Sequence, residues 1–153
     1  MYEADFVKAQ VAVFCWREAS LYGGDQCMTA TAFALRNRVE AGWGSGSGDW
    51  LGVLSLASKT SFRLQQPLQD SYPDERDPAW RKFFARVDGI VDGTAPDTYT
   101  SSEKMWGPVG SKVCGLYWYA MNEITNPWFT ENIIRRPDQH QKVATVGPII
   151  FYS

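Results

Sequence analysis

The chain has 153 residues, 44% of them apolar and 21% charged, with a formal net charge of −2 and an isoelectric point near 5.4. This balance fits one soluble globular domain spanning residues 1–153 and excludes a disordered chain. There is no basic stripe to hold nucleic acid or an acidic membrane surface, and no run of about 18 apolar residues to insert in a bilayer.

A first helix is expected from about Glu3 to Ala19. At about 100° per residue, Phe6, Ala9, Val13 and Trp16 form one apolar stripe. Val7, Val11 and Phe14 form a second, which leaves Lys8, Ala12 and Cys15 for a narrow solvent side. The next position on the second stripe is Glu18. A helix apolar on two faces is normally buried. A carboxylate on it is desolvated unless a cleft opens there, and desolvation raises its pKa. One reading is an ion pair with Arg17, Arg36 or Arg38; the other is a functional acid.

Gly23-Gly24 ends the turn after this helix, because glycine takes positive φ without steric cost. Asp25 then suits the N-cap of a second helix over Gln26 to Ala41. Its inward positions are Met28, Ala32, Leu35 and Val39, with small Ala30 and Ala34 permitting close approach of a neighbour. Gly42 to Trp50, GWGSGSGDW, reads as a flexible connector. Leu51 to Ser58 reads as a short buried helix, and Arg63 to Asp77 as an irregular excursion. Asp77-Pro78 supplies a cap and a first-turn proline for a further helix. Trp80, Phe83, Phe84, Val87, Ile90 and Val91 form its core face, and Gly93 follows it. Later the pattern changes: Leu116 to Tyr119, and Val143 to Tyr152 around Gly147-Pro148, have the β-branched and aromatic content of short strands. The expected architecture is α+β, mostly α, with a small late β-sheet.

Cys15, Cys27 and Cys114 are odd in number and scattered, with no CxxC pair. Together with the lack of a basic segment leading into an apolar one, this predicts reduced thiols in a protein made in the cytoplasm without a signal peptide. One histidine and no cysteine cluster predict no metal site, and nothing calls for a cofactor. Seven tryptophans, seven tyrosines and eight phenylalanines mostly suit a core, but such flat rings also stack on sugar faces.

Three chemistries deserve comparison. Cys27, in the first turn of the second helix, with His140 downstream would make a Cys–His peptidase or amidase. Against it stand an inert buried thiol and a solvated loop histidine. A serine triad would need the same histidine and lacks a GxSxG elbow. Glycoside cleavage needs only one protonated carboxylic acid in an apolar pocket, plus a second carboxylate unless the substrate itself assists. Glu18, followed by small Ala19 and Ser20, fits the acid. Asp25, Asp49, Asp70 and Glu103 are candidate second acids that no spacing separates.

Trp16-Arg17-Glu18-Ala19, followed by Ala34-Leu35-Arg36-Asn37-Arg38-Val39, resembles the bacterial cell wall hydrolase family that includes the spore-cortex-lytic enzymes. That family reads roughly GEAR, then a helix ending in LNRV. Ser61-Phe62 resembles its phenylalanine-containing loop. Gly115 to Ala120 with Asn126-Pro127-Trp128 resembles its aromatic strand before Pro-Trp. Val146-Gly147 with Phe151-Tyr152 resembles its closing motif. Departures are Arg17 for glycine, Ser20 for arginine, Ile149 for histidine, and longer segments around residues 63–78 and 97–114.

The resemblance implies a lysozyme-like fold and cleavage of peptidoglycan glycan strands by a lytic transglycosylase or muramidase, with Glu18 as general acid and base. It implies glycan-binding roles for Ser61, Tyr117 and Tyr119, whereas Phe62 suits core packing and Asn37 suits a structural hydrogen bond inside the second helix rather than a ligand. The partner would be peptidoglycan. The route to the wall would be release through a holin, delivery by a phage particle or injection apparatus, or another export. The Cys27–His140 amidase and a catalytically inactive glycan-binding or structural subunit remain as alternatives.

Overall fold

The computed structural model describes residues 3–46, 48–61, 64, 72–106, 108–120 and 126–153. The architecture is α+β, mostly α. Helices α1 (Glu3–Gly23), α2 (Asp25–Glu40), α3 (Trp50–Thr60) and α4 (Pro78–Val91) come first. Two small sheets follow, an antiparallel pair of β1 (Ser101–Glu103) with β2 (Lys112–Cys114), and a three-stranded sheet in the order β3-β5-β4. In the latter, β3 is Tyr117–Ala120, β4 is Lys142–Val146 and β5 is Ile149–Tyr152. Between β3 and β4, a short helix α5 (Pro127–Phe129) runs into a π-helical turn, Thr130–Ile134.

Helix α2 is the centre of the molecule. From Cys27 to Leu35 every side chain is buried, and so are Asn37, Arg38 and Val39. It packs against α1, α3 and α4. The four expected inward positions are therefore part of a helix covered nearly all round, as a helix enclosed by neighbours must be. Its N-cap is Gly24 at φ 63°, a left-handed conformation that suits glycine. Asp25, expected to be the cap, is instead the first helical residue, and its carboxylate pairs with Arg86 of α4.

Helix α1 corrects the expected two-stripe reading. Ala12 and Cys15, assigned to solvent, are wholly buried, whereas Phe6 is 43% exposed and Ala9, Val13 and Trp16 are half-buried. The buried face consists of Val7, Val11, Phe14, Ala12, Cys15 and Ala19. Small side chains let a neighbouring helix approach, and close packing then removes them from water. The Lys8 ammonium escapes this face by reaching Asp88, 3.4 Å away.

Helix α3 buries only Val53, Leu54 and Ala57, leaving Leu51 and Leu56 about two-fifths exposed. Helix α4 starts as expected, with Asp77 accepting from Ala79 N and Pro78 in the first turn. Its Trp80, Phe83, Val87 and Ile90 are buried; Phe84 is 38% exposed. Ring contacts join Trp80 to Trp16 and to Phe84.

The glycine-rich connector after α2 is organised by one carboxylate. Asp49 Oδ2 accepts from Ser45 N and Oγ, and Oδ1 accepts from Gly52 N at the start of α3. These bonds hold the Asp49 carboxyl below its ordinary pKa. The pairing of β1 with β2 was not anticipated, because three-residue strands carry too little periodicity to show. One side chain from elsewhere pins this hairpin: Gln141 Nε2 donates to Ser102 Oγ and Glu103 O, and Gln141 Oε1 accepts from Met105 N. Phe62 and most of the Arg63–Asp77 excursion lie outside the described residues. Among the described residues, no helix is long and apolar enough to cross a membrane.

Candidate active site

Near the C-terminal end of α1, half-buried Glu18 faces a cleft of about 580 Å³. Among the described residues, four elements build its walls. Helix α2 contributes Arg38 and α3 contributes Leu56, Ala57 and Thr60, with Ser61 just beyond. Strand β3 contributes Tyr117, Trp118 and Tyr119, and the α5 region contributes Asn126, Trp128, Phe129, Thr130 and Ile134. Trp43, from the connector, also lines it. The connector is thus no plain spacer.

Ser61 and Trp118 both meet the Glu18 carboxyl. Ser61 Oγ is hydrogen-bonded to Oε2, and Trp118 Nε1 donates to Oε1 at 3.3 Å. Ser61 is fixed in turn, since its Oγ accepts from Leu64 N at 3.0 Å. A hydroxyl both donates and accepts, so Ser61 suits either protonation state of the acid. The indole can only donate, so Oε1 is the acceptor in that contact.

Strand alternation sorts the aromatic side chains. Tyr117 and Tyr119 share one face of β3 and both pack on Phe129. Tyr117 also meets Trp43 and His140, while Tyr119 stacks on Tyr152. Burial, then the neighbouring Tyr119, pushes the Tyr152 phenol above its ordinary pKa. Trp118 points the other way, onto Phe151 and the core. The π-helical turn closes with Arg135 N donating to Thr130 O. Such turns often mark functional sites, and this one places Thr130 and Ile134 on the cleft wall.

Arg38 is the least expected member. It is 8% exposed, and its guanidinium lies over both Trp43 and Trp118, 4.6 and 4.4 Å from the ring centroids. Its Nε donates to Leu116 O at 2.6 Å. Burial lowers its pKa to about 10, against the opposing pull of Tyr117 and Glu18, so it stays cationic at neutral pH. Among the described residues no carboxylate lies within ion-pairing distance of it. Arg36, another arginine considered for Glu18, is engaged elsewhere, donating to Ala95 O and pairing with Glu40. Arg38, Trp118 and Trp43 were not singled out from sequence as site residues. A signal existed for Arg38: it sits between Leu35 and Val39 on a helix of apolar and small residues, the same anomaly that marks Glu18.

Of the sequence-predicted site residues, Glu18, Ser61, Tyr117 and Tyr119 all line the cleft. Ser61 is 8% exposed and bonded to Glu18, so it holds the acid more directly than it offers a free ligand. Asn37 lies behind the site, donating to Thr100 Oγ1 and Gly115 O at 3.0 Å each. Those bonds fix the start of β3, making Asn37 structural.

The candidate second acids disperse. Asp25 pairs with Arg86, Asp49 caps α3, Glu103 lies on exposed β1, and Asp70 is outside the described residues. Among the described residues Glu18 is the single carboxylate on the cleft. Cys27 and His140 also separate. The thiol is wholly buried and donates to Val146 O, while His140 Nδ1 meets Ser153 O at 2.7 Å. Burial raises the Cys27 pKa, the wrong direction for a nucleophile. No group of three or more metal-binding side chains occurs among the described residues. Comparison of the chain with protein-family models, with characterised proteins and with solved structures gives no match.

Proposed function

We propose that this protein cleaves the glycan strands of peptidoglycan, as a lytic transglycosylase or muramidase, with Glu18 as general acid and then general base. The observation that carries this reading is one carboxyl group, bonded to Ser61 and Trp118, on an aromatic-lined cleft of about 580 Å³. Trp43, Tyr117, Tyr119 and Trp128 supply flat faces of the kind that sugars stack against.

In this scheme the Oε2 proton of Glu18 passes to the glycosidic oxygen as the bond to the anomeric carbon breaks. The Ser61 hydroxyl then turns its hydrogen toward the new carboxylate, and Trp118 continues to donate to Oε1. The carboxylate next accepts a proton from the attacking hydroxyl. That hydroxyl belongs to water in a muramidase, or to the muramoyl residue itself at its 6-position in a transglycosylase. The absence of a second carboxylate among the described lining residues favours substrate assistance.

Digestion of purified peptidoglycan, followed by mass spectrometry, tests the proposal. Anhydro-muropeptides support transglycosylation and reducing-end products support hydrolysis. Released peptides with intact glycans would support an amidase instead. Intact material from a folded protein would overturn the enzymatic reading and leave a glycan-binding subunit.

A further inference from the structure

The cation beside Glu18 has no role in the proton transfers above, yet its setting is specific. Trp43 and Trp118 lie against the Arg38 guanidinium, so an additional partner must approach its edge. The Nε–H on that edge is already given to Leu116 O. The Nη groups remain, on a side chain that lines the cleft and is 8% exposed. A desolvated guanidinium with unused in-plane donors matches a planar pair of oxygens, and a carboxylate fits both its charge and its fork.

We infer that Arg38 binds a carboxylate of the substrate, so the preferred strand carries a free acidic group beside the scissile bond. On a peptidoglycan glycan that group is the lactyl carboxylate of a muramoyl residue from which the peptide has been removed. The cleft therefore selects peptide-free strands over neutral glycans and over strands whose lactyl groups are amidated. This inference rests on the glycan reading of the cleft and adds the charge of the ligand to it.

The test is equilibrium binding to the Glu18→Gln protein, which retains the cleft without turning over the ligand. Three probes are compared: peptide-free peptidoglycan oligosaccharides, the same oligosaccharides with lactyl carboxylates converted to methylamides, and oligosaccharides of N-acetylglucosamine. The free acid should bind about 10- to 100-fold more tightly than the other two, the ratio expected of a charge-assisted bidentate contact. Adding Arg38→Gln should bring the ratio of acid to amide affinity close to one, whatever it does to the affinity for both. Arg38→Lys retains the charge but not the fork and should preserve only part of the preference. Because the first comparison uses intact Arg38, it stands even if the Gln variant fails to fold. Equal binding of acid and amide would overturn the carboxylate site while preserving the glycan cleft. Binding of none of the probes would overturn both.

Discussion

Trp118 Nε1 donates to Glu18 Oε1 at 3.3 Å, joining a strand to a helix 100 residues earlier in the chain. The same indole supports the Arg38 guanidinium on its face. One side chain thus positions two charged groups of the cleft, the acid through its N–H and the cation through its ring.

Replacing Trp118 with Phe separates these two effects. Phenylalanine retains an aromatic face for Arg38 and contact with Phe151, but it cannot donate to Glu18. Losing one hydrogen bond to a charged group should lower kcat/KM about 10-fold. The lost donor favoured the ionised acid, so the protonated form should persist to higher pH. The alkaline limb of the pH–rate profile should move upward. A profile that stays in place would show that the indole N–H does not tune the acid.

Glu18→Gln retains shape and hydrogen-bonding reach but lacks the acidic proton. Glycan cleavage should fall ~10²–10⁴-fold. The amide can still serve Ser61 and Trp118, so stability should hold within about 1 kcal/mol or rise slightly. Melting and cleavage measured on one preparation decide the matter. Unchanged melting with near wild-type cleavage would remove Glu18 from the mechanism.

Cys27→Ala and His140→Ala should each leave glycan cleavage near wild type. Cys27 gives up a bond to Val146 O, which should lower stability by about 1 kcal/mol. Loss of cell-wall clearing in either folded variant would restore the amidase reading, since both groups lie outside the Glu18 mechanism.

Cys15 predicts a pH dependence of stability. Burial, reinforced by the charge of Glu18, raises its thiol well above the ordinary 9.0. Above pH 9 the unfolded chain therefore loses this proton while the folded chain retains it. The unfolded state then binds fewer protons, and stability falls as pH rises, by up to about 1.4 kcal/mol per pH unit from this group. Below pH 9 the contribution is constant. Denaturant unfolding from pH 8 to 10.5 should give a shallower decline for Cys15→Ala than for wild type. Equal slopes would assign the alkaline loss elsewhere, for example to Cys27 or Tyr152, whose protonated forms burial also favours.

The elements and the acid were legible because their signals are local. Asp77-Pro78 starts α4 where a cap and a fixed φ require it, and Gly147-Pro148 separates two β-rich runs that form an antiparallel hairpin. Glu18 stands out because a carboxylate on an apolar stripe costs solvation energy anywhere it is found. Which face of α1 is buried was not local. Ala12 and Cys15 are covered because neighbouring packing reaches them, and small residues carry little periodic signal of their own. The partners of Glu18 were equally hidden. Ser61 is 43 residues away and Trp118 is 100, and only the packing of α1, α3 and β3 around one cleft brings them together. Arg38 shows the division within one side chain. Its place on a buried helix could be read from sequence, but its two indole neighbours and its bond to Leu116 O required the folded chain, because they come from a connector and a strand-edge residue that helical periodicity does not describe.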